Sequence, residues 1–170
     1  PLRDEPSSTR SLWPIGAYGR RWVLCEGDDE LVVVDHVAAE ALLARRRLER
    51  DGSGQRLLDP KRKGLSEREV AVLEGASEDL AALGLELVKM SPTEMALRTV
   101  PVVLPRLHTD GLLKKLAAAP ERAAMVLVES QRLPEAPDAR GLRAMLASLE
   151  EAGLDAVVGR IPTRELAKLH

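Results

Sequence analysis

The chain has 170 residues, 45% of them hydrophobic and 31% charged, with a formal net charge of -2. This is the composition of one soluble globular domain, or of two small subdomains sharing a chain, with enough apolar residues to bury a core. One cysteine, Cys25, excludes an intramolecular disulfide framework and, with only three histidines, discourages a cysteine-built metal site; balanced charge and the absence of Phe disfavour a whole-surface nucleic-acid footprint and a base-stacking platform.

Pro1 to Arg10 is polar, without the apolar region of a signal peptide, and reads as a linker end; with Pro1 in place of Met, the chain reads as a processed or excised piece. No run of 18 apolar residues occurs, so no membrane-spanning helix is expected, and the lone thiol points to the cytoplasm. Arg20 to Glu26 and Glu30 to Asp35 flank Gly27, Asp28 and Asp29, which predicts a hairpin. Val37 to Arg50 lacks Gly and Pro and predicts a helix, followed by a flexible loop at Asp51 to Gly54 and an extended, exposed stretch from Gln55 to Gly64.

Ser66 and Glu69 form a capping box that opens a helix to about Leu83, stopped by Gly84. Leu85 to Met90 and Met95 to Val100 predict a second hairpin, and a short helix capped by Asp110 follows to Ala118. Glu121 to Gln131 is ambiguous between an apolar helix and a buried strand. Asp138 to Ala152 is amphipathic, with Leu142, Met145, Leu146 and Leu149 on one face and Gly153 as its stop. A strand over Leu154 to Val158 and a short helix capped by Thr163 complete an α+β pattern.

Neither a phosphate-binding Gly-rich loop nor a nucleophile elbow is present. Asp35 and His36 are the one carboxylate and imidazole pair placed together by sequence. With Glu40 they offer a metal-site reading, whereas the simpler assignment makes Asp35 a helix cap and His36 an exposed first residue. Arg45, Arg46 and Arg47, and again Lys61, Arg62 and Lys63, are basic runs that either contact DNA phosphates or solvate a surface. Cys25, with apolar neighbours, is expected to be a small core residue.

In this order, Gly16 with Trp22 in RWVLCE, LVVVDHVAAEALL, LLDP, LSEREVAVLEGASEDLAALGLEL, ALRTVPVVL and GRIPTREL, the chain resembles the C-terminal domain of MutL, the DNA mismatch repair protein. The resemblance implies an α+β fold with a dimerisation subdomain at about 12–61 and 119–170 and an inserted regulatory subdomain at 62–118, after a linker end at 1–11. It also implies a homodimer that joins N-terminal ATPase domains lying outside this chain, with ATP and Mg expected there and no cofactor here. Implied partners are the replication sliding clamp, the mismatch recognition protein MutS and, weakly, DNA, in the bacterial cytoplasm at the nucleoid.

Many such domains nick DNA through a signature Asp-Gln-His-Ala-x-x-Glu-x-x-x-x-Glu. Here Asp35 and Ala38 match, but His36, Val37, Ala41 and Arg46 replace the Gln, the His and both Glu. Glu40 comes one residue early, which on a helix turns it by about 100 degrees. A second ligand element, Cys-Pro-His-Gly-Arg-Pro, finds only Ala156 and Val158, or Val157 and Gly159, at its ligand positions. The resemblance therefore implies a version without endonuclease activity; a relocated metal site around Asp35, His36 and Glu40, helped by His108 or His170, and a DNA-backbone-binding module are the competing readings. Gln55, Leu58 and Pro60 fit the family's Gln-x-x-Leu-x-Pro clamp-binding segment, the alternative being an ordinary loop anchored by Leu58.

Overall fold

The computed structural model describes residues 12–132, 135–152, 158–166 and 168. In chain order its elements are β1 (Trp13–Tyr18), β2 (Trp22–Glu26), β3 (Glu30–Asp35), α1 (His36–Arg50), β4 (Gly54–Gly64), α2 (Glu67–Gly75), α3 (Ser77–Ala82), β5 (Glu86–Ser91), β6 (Glu94–Pro101), α4 (Leu112–Ala118), α5 (Ala123–Glu129), α6 (Ala139–Ala152), β7 (Val158–Pro162) and α7 (Thr163–Leu166). The fold is α+β, with two antiparallel sheets ordered β1-β2-β3-β7 and β4-β6-β5. Two compact units result, one from the described residues up to Leu43 together with those after Arg132, the other from Ala44–Arg132.

In the first unit, the period of two along β2 and β3 sends Val23, Cys25, Val32 and Val34 into a core with Ala39 and Leu43 of α1 and Leu142, Met145, Leu146 and Leu149 of α6. Helix α6 starts at Asp138, whose carboxylate accepts the Gly141 N–H at 2.7 Å. Strand β1 is an addition to the expected elements. Pro14 and Gly16 disfavour a strand, but β1 lies at the sheet edge and shifts register between these two residues, where a missing ladder donor is tolerated. The last strand runs over Val158–Pro162; of the stretch expected to form it, 154–157 lie outside the described residues, as do Pro1 to Arg10 and Gly153. Thr163 opens α7, its N–H donating to the Asp29 carbonyl at 3.0 Å.

In the second unit the capping box forms as read: the Ser66 hydroxyl accepts the Glu69 N–H at 3.2 Å and Glu69 accepts the Ser66 N–H at 2.7 Å. The Ser66 N–H and the Ser66 hydroxyl, which donates to the same carboxylate at 2.9 Å, hold the Glu69 carboxyl below its ordinary pKa, with a smaller contribution from the Lys114 charge. The single helix expected to Leu83 is interrupted at Ala76, just after Gly75, although Ala76 N–H still reaches the Val72 carbonyl. Asp110 does not cap α4. Gly111 takes the N-cap position in the left-handed region (φ +72°), and no side chain bonds the first turn. The ambiguous apolar stretch is helical, as α5.

The expected flexible loop is a packed crossing. A Cβ on Gly52 would lie 1.8 Å from the Ala82 carbonyl oxygen, and Gly84, at φ +82°, faces the Gly52 and Ser53 carbonyls. The expected subdomain seams, 61/62 and 118/119, differ from the observed ones. Lys61 lies inside β4, which is bonded to β6, and Ala123 and Leu127 of α5 pack with Leu73, Leu97 and Leu116, so both segments join the second unit.

Candidate functional site

The β3–α1 junction is where the resemblance would place a metal. Asp35 is buried and its Oδ1 accepts the Ala38 N–H at 3.0 Å, while Oδ2 takes Arg21 Nε at 2.8 Å and Nη2 at 2.7 Å. Burial alone would raise the Asp35 carboxyl, but the Arg21 hydrogen bond, the Ala38 and Val37 N–H groups and the Arg21 charge together hold it below the usual carboxylate range. Arg21 is raised in turn by the same pairing, and its guanidinium stands 5.4 Å from the Trp22 ring centroid.

His36 is not an exposed first residue. It is fully buried, its Nε2 lies 2.9 Å from the Arg20 carbonyl oxygen, and its Nδ1 has no partner among the described residues. Val37, Ala38 and Ala41 bring no donor atoms, and among the described residues no three His, Cys, Asp or Glu side chains gather as a metal site would require. His170 lies outside the described residues. Cys25 is enclosed in the core, and burial pushes its thiol up to about 11, so it stays protonated and unreactive near neutrality.

Gln55, Leu58 and Pro60 sit on β4, at the edge of the second sheet. The ladder to β6 is regular at Gln55 and Arg56, breaks, and resumes at Lys61, so Leu57 to Pro60 are looped out of register. Leu57 turns inward against the core while Leu58 stands fully exposed, so Leu57 and not Leu58 is the anchor. Lys61, Arg62 and Lys63 follow, all exposed, with Lys61 Nζ 3.2 Å from Asp59. Arg45, Arg46 and Arg47 lie exposed on α1, and Arg45 pairs with Glu49 one turn on.

On the outer face of the first sheet, the sequence offers Leu31 and Val33, with Leu142 to Leu149, for the core or an interface alike, and leaves the aromatic residues unassigned. Opposite in phase to the buried set, Trp22, Leu24, Leu31 and Val33 face away from the core, with Ile161 beside Leu31 and Tyr18 beside Trp22. Trp13 (63% exposed), Tyr18 (72%) and Trp22 (38%) are the only aromatic residues in the chain, and all are on the surface; Ile15 and Ile161 join them. The clustering of all three aromatics within ten positions was the available signal, since aromatics are enriched at interfaces. The Arg143 guanidinium covers Trp13 at 4.5 Å. Leu142, Met145, Leu146 and Leu149, by contrast, are core, while Leu31 and Val33 belong to the outer face.

Residues 15–136 match the family described as the MutL C terminal dimerisation domain. Among curated proteins, the chain is 37% identical over 98 residues to the DNA mismatch repair protein MutL of Xylella fastidiosa (strain M12), covering 55% of this chain and 16% of that protein. It is 34% identical over 124 residues to the MutL of Neisseria meningitidis serogroup B (67% and 19%) and 30% identical over 142 residues to that of Brucella abortus (78% and 21%). The aligned part thus spans about a fifth of the length of these relatives. No helix among the described residues is long and apolar enough to cross a membrane.

Proposed function

Because the chain belongs to the MutL C-terminal dimerisation domain family, we propose that it serves DNA mismatch repair as a homodimerisation module, with the first unit as the dimerising part. The observation that carries this reading is the apolar outer face of β1-β2-β3-β7, on a sheet whose other face is already filled by α1 and α6. Each Å² of such surface removed from water contributes about 25 cal/mol. A second copy covers it with the same patch, as a two-fold interface requires.

The module itself does not cut DNA. Asp35 is committed to Arg21 and to the first turn of α1, and Val37, Ala41 and Arg46 supply no ligand where the family signature has His and Glu. The exposure of Leu58 on its bulge supports Gln55, Leu58 and Pro60 as a sliding-clamp docking segment. The module needs no cofactor; ATP and Mg belong to the N-terminal domain of the full-length protein, which the dimer would bring together around DNA in response to MutS.

Sedimentation equilibrium tests the central reading. A dimer is expected at micromolar concentration, and Leu31→Lys with Val33→Lys should give a folded monomer; a wild-type chain that stays monomeric would sink it. Metal-dependent nicking of supercoiled DNA that vanishes in Asp35→Ala would overturn the non-nuclease assignment. Unchanged clamp binding by Gln55→Ala with Leu58→Ala would remove the docking segment.

A further inference from the structure

The three-stranded sheet of the second unit ends in an open edge. Strand β4 pairs with β6 on one side, and among the described residues nothing pairs with the other. Past the bulge, Lys61, Arg62, Lys63 and Gly64 oppose Leu97, Ala96, Met95 and Glu94, and all four β4 residues are exposed. In an antiparallel strand alternate residues turn their N–H and C=O groups away from the neighbour, so this edge holds unused backbone donors and acceptors.

Lysine, proline and bulges are the devices that keep an edge from pairing with apolar strands, and β4 carries all three. The same charges select a different occupant. Lys61 is engaged by Asp59, but among the described residues no carboxylate lies within ion-pair distance of Arg62 or Lys63. A cavity of about 500 Å³ opens beside the strand, lined by all three cations together with Thr109, Gly111 and Leu113. A Cβ placed on Gly64 or Gly111 would meet nothing within 4 Å, so neither the strand end nor the cavity wall is crowded.

We propose that the outer edge of β4 at Lys61–Gly64 is a docking site for an acidic extended peptide, which adds to the sheet as a fourth strand. Lys61 and Lys63 share one face and Arg62 takes the other, so acidic residues at alternate positions of the incoming strand meet both lysines. Backbone hydrogen bonds provide the attachment, and the charges choose the sequence. A nucleic-acid backbone fits less well, because it brings no alternating N–H and C=O groups to pair with the open strand edge.

The test uses the full chain and a fluorescent octapeptide of alternating Glu and Val. Saturable binding is expected, with amide NMR shifts centred on residues 61–64 and a roughly tenfold or greater loss in Lys61→Glu, Arg62→Glu, Lys63→Glu. If that variant fails to fold, Lys63→Ala alone should weaken binding roughly 2- to 5-fold. Gln55→Ala with Leu58→Ala should leave peptide affinity intact. The same peptide N-methylated at alternate residues should not bind; equal binding would mean ionic attraction without strand addition and overturn the proposal. So would a duplex oligonucleotide that shifts residues 61–64 while the peptide does not.

Discussion

The two sheets are built alike and finished differently. Each is antiparallel and each is backed by helices of its own unit, yet the first exposes Trp13, Ile15, Tyr18, Trp22 and Ile161 on its strands. The second exposes Leu58 and Met90 beside a larger set of charged residues, Arg56, Lys61, Arg62, Lys63, Glu86 and Lys89, and some of its polar groups pair locally, Lys89 with Glu74 at 2.8 Å and Thr99 with Glu86 at 2.9 Å. A sheet with one wet face needs polar residues there. The exposed residues of the second sheet are mostly charged and in part paired within the unit, whereas those of the first are mostly apolar.

Substitutions can break this contrast. Leu146→Ala, at a fully buried position of α6, is expected to destabilise the chain by about 2–5 kcal/mol in urea denaturation, since it opens a cavity under the inner face. Gly52→Ala, driving a Cβ into the Ala82 carbonyl, should cost more than about 1 kcal/mol and identify the turn of the second unit as packed structure.

Asp35→Asn tests the junction below the first sheet. The folded-state pKa of Asp35 is lowered, so its stabilisation is present above the unfolded value of roughly 3.9 and is lost as pH falls through the folded value. The variant should be less stable at neutral pH and converge with the parent in acid; parallel stability curves would show that the Arg21 pair contributes nothing. Ile161→Ser, on the outer face, should change monomer stability by less than about 0.5 kcal/mol while weakening self-association in sedimentation. If it destabilises the monomer as much as Leu146→Ala does, the two faces are not different in kind.

Much of the local structure was legible because neighbouring residues specify it. The Ser66 and Glu69 box, the Gly84 stop, the apolar stripe of α6 and both hairpins depend on contacts a few residues apart. The missed or altered elements depend on distant ones. Strand β1 tolerates Pro14 and Gly16 through its edge position, Gly52 is required by a carbonyl thirty residues away, and Asp110 yields its cap position to the left-handed Gly111. His36 opens α1 as expected, but the carbonyl of Arg20 and the surrounding core enclose it where the sequence predicts exposure.

The candidate sites divide the same way. The non-nuclease reading rests on residue types alone, since the side chains of Val37, Ala41 and Arg46 stand where the resemblance implies ligands and none of these side chains coordinates a cation. Sequence order alone offered Gln55, Leu58 and Pro60 as a clamp-binding segment, as the resemblance implies. Which leucine anchors and which projects required the register break in β4, and the division of Leu31 and Val33 from Leu142 to Leu149 required the sheet to have two faces. Composition and spacing carry chemical capability, since that belongs to each side chain. Exposure belongs to the packed chain, because what a residue presents to a partner is what its neighbours leave uncovered.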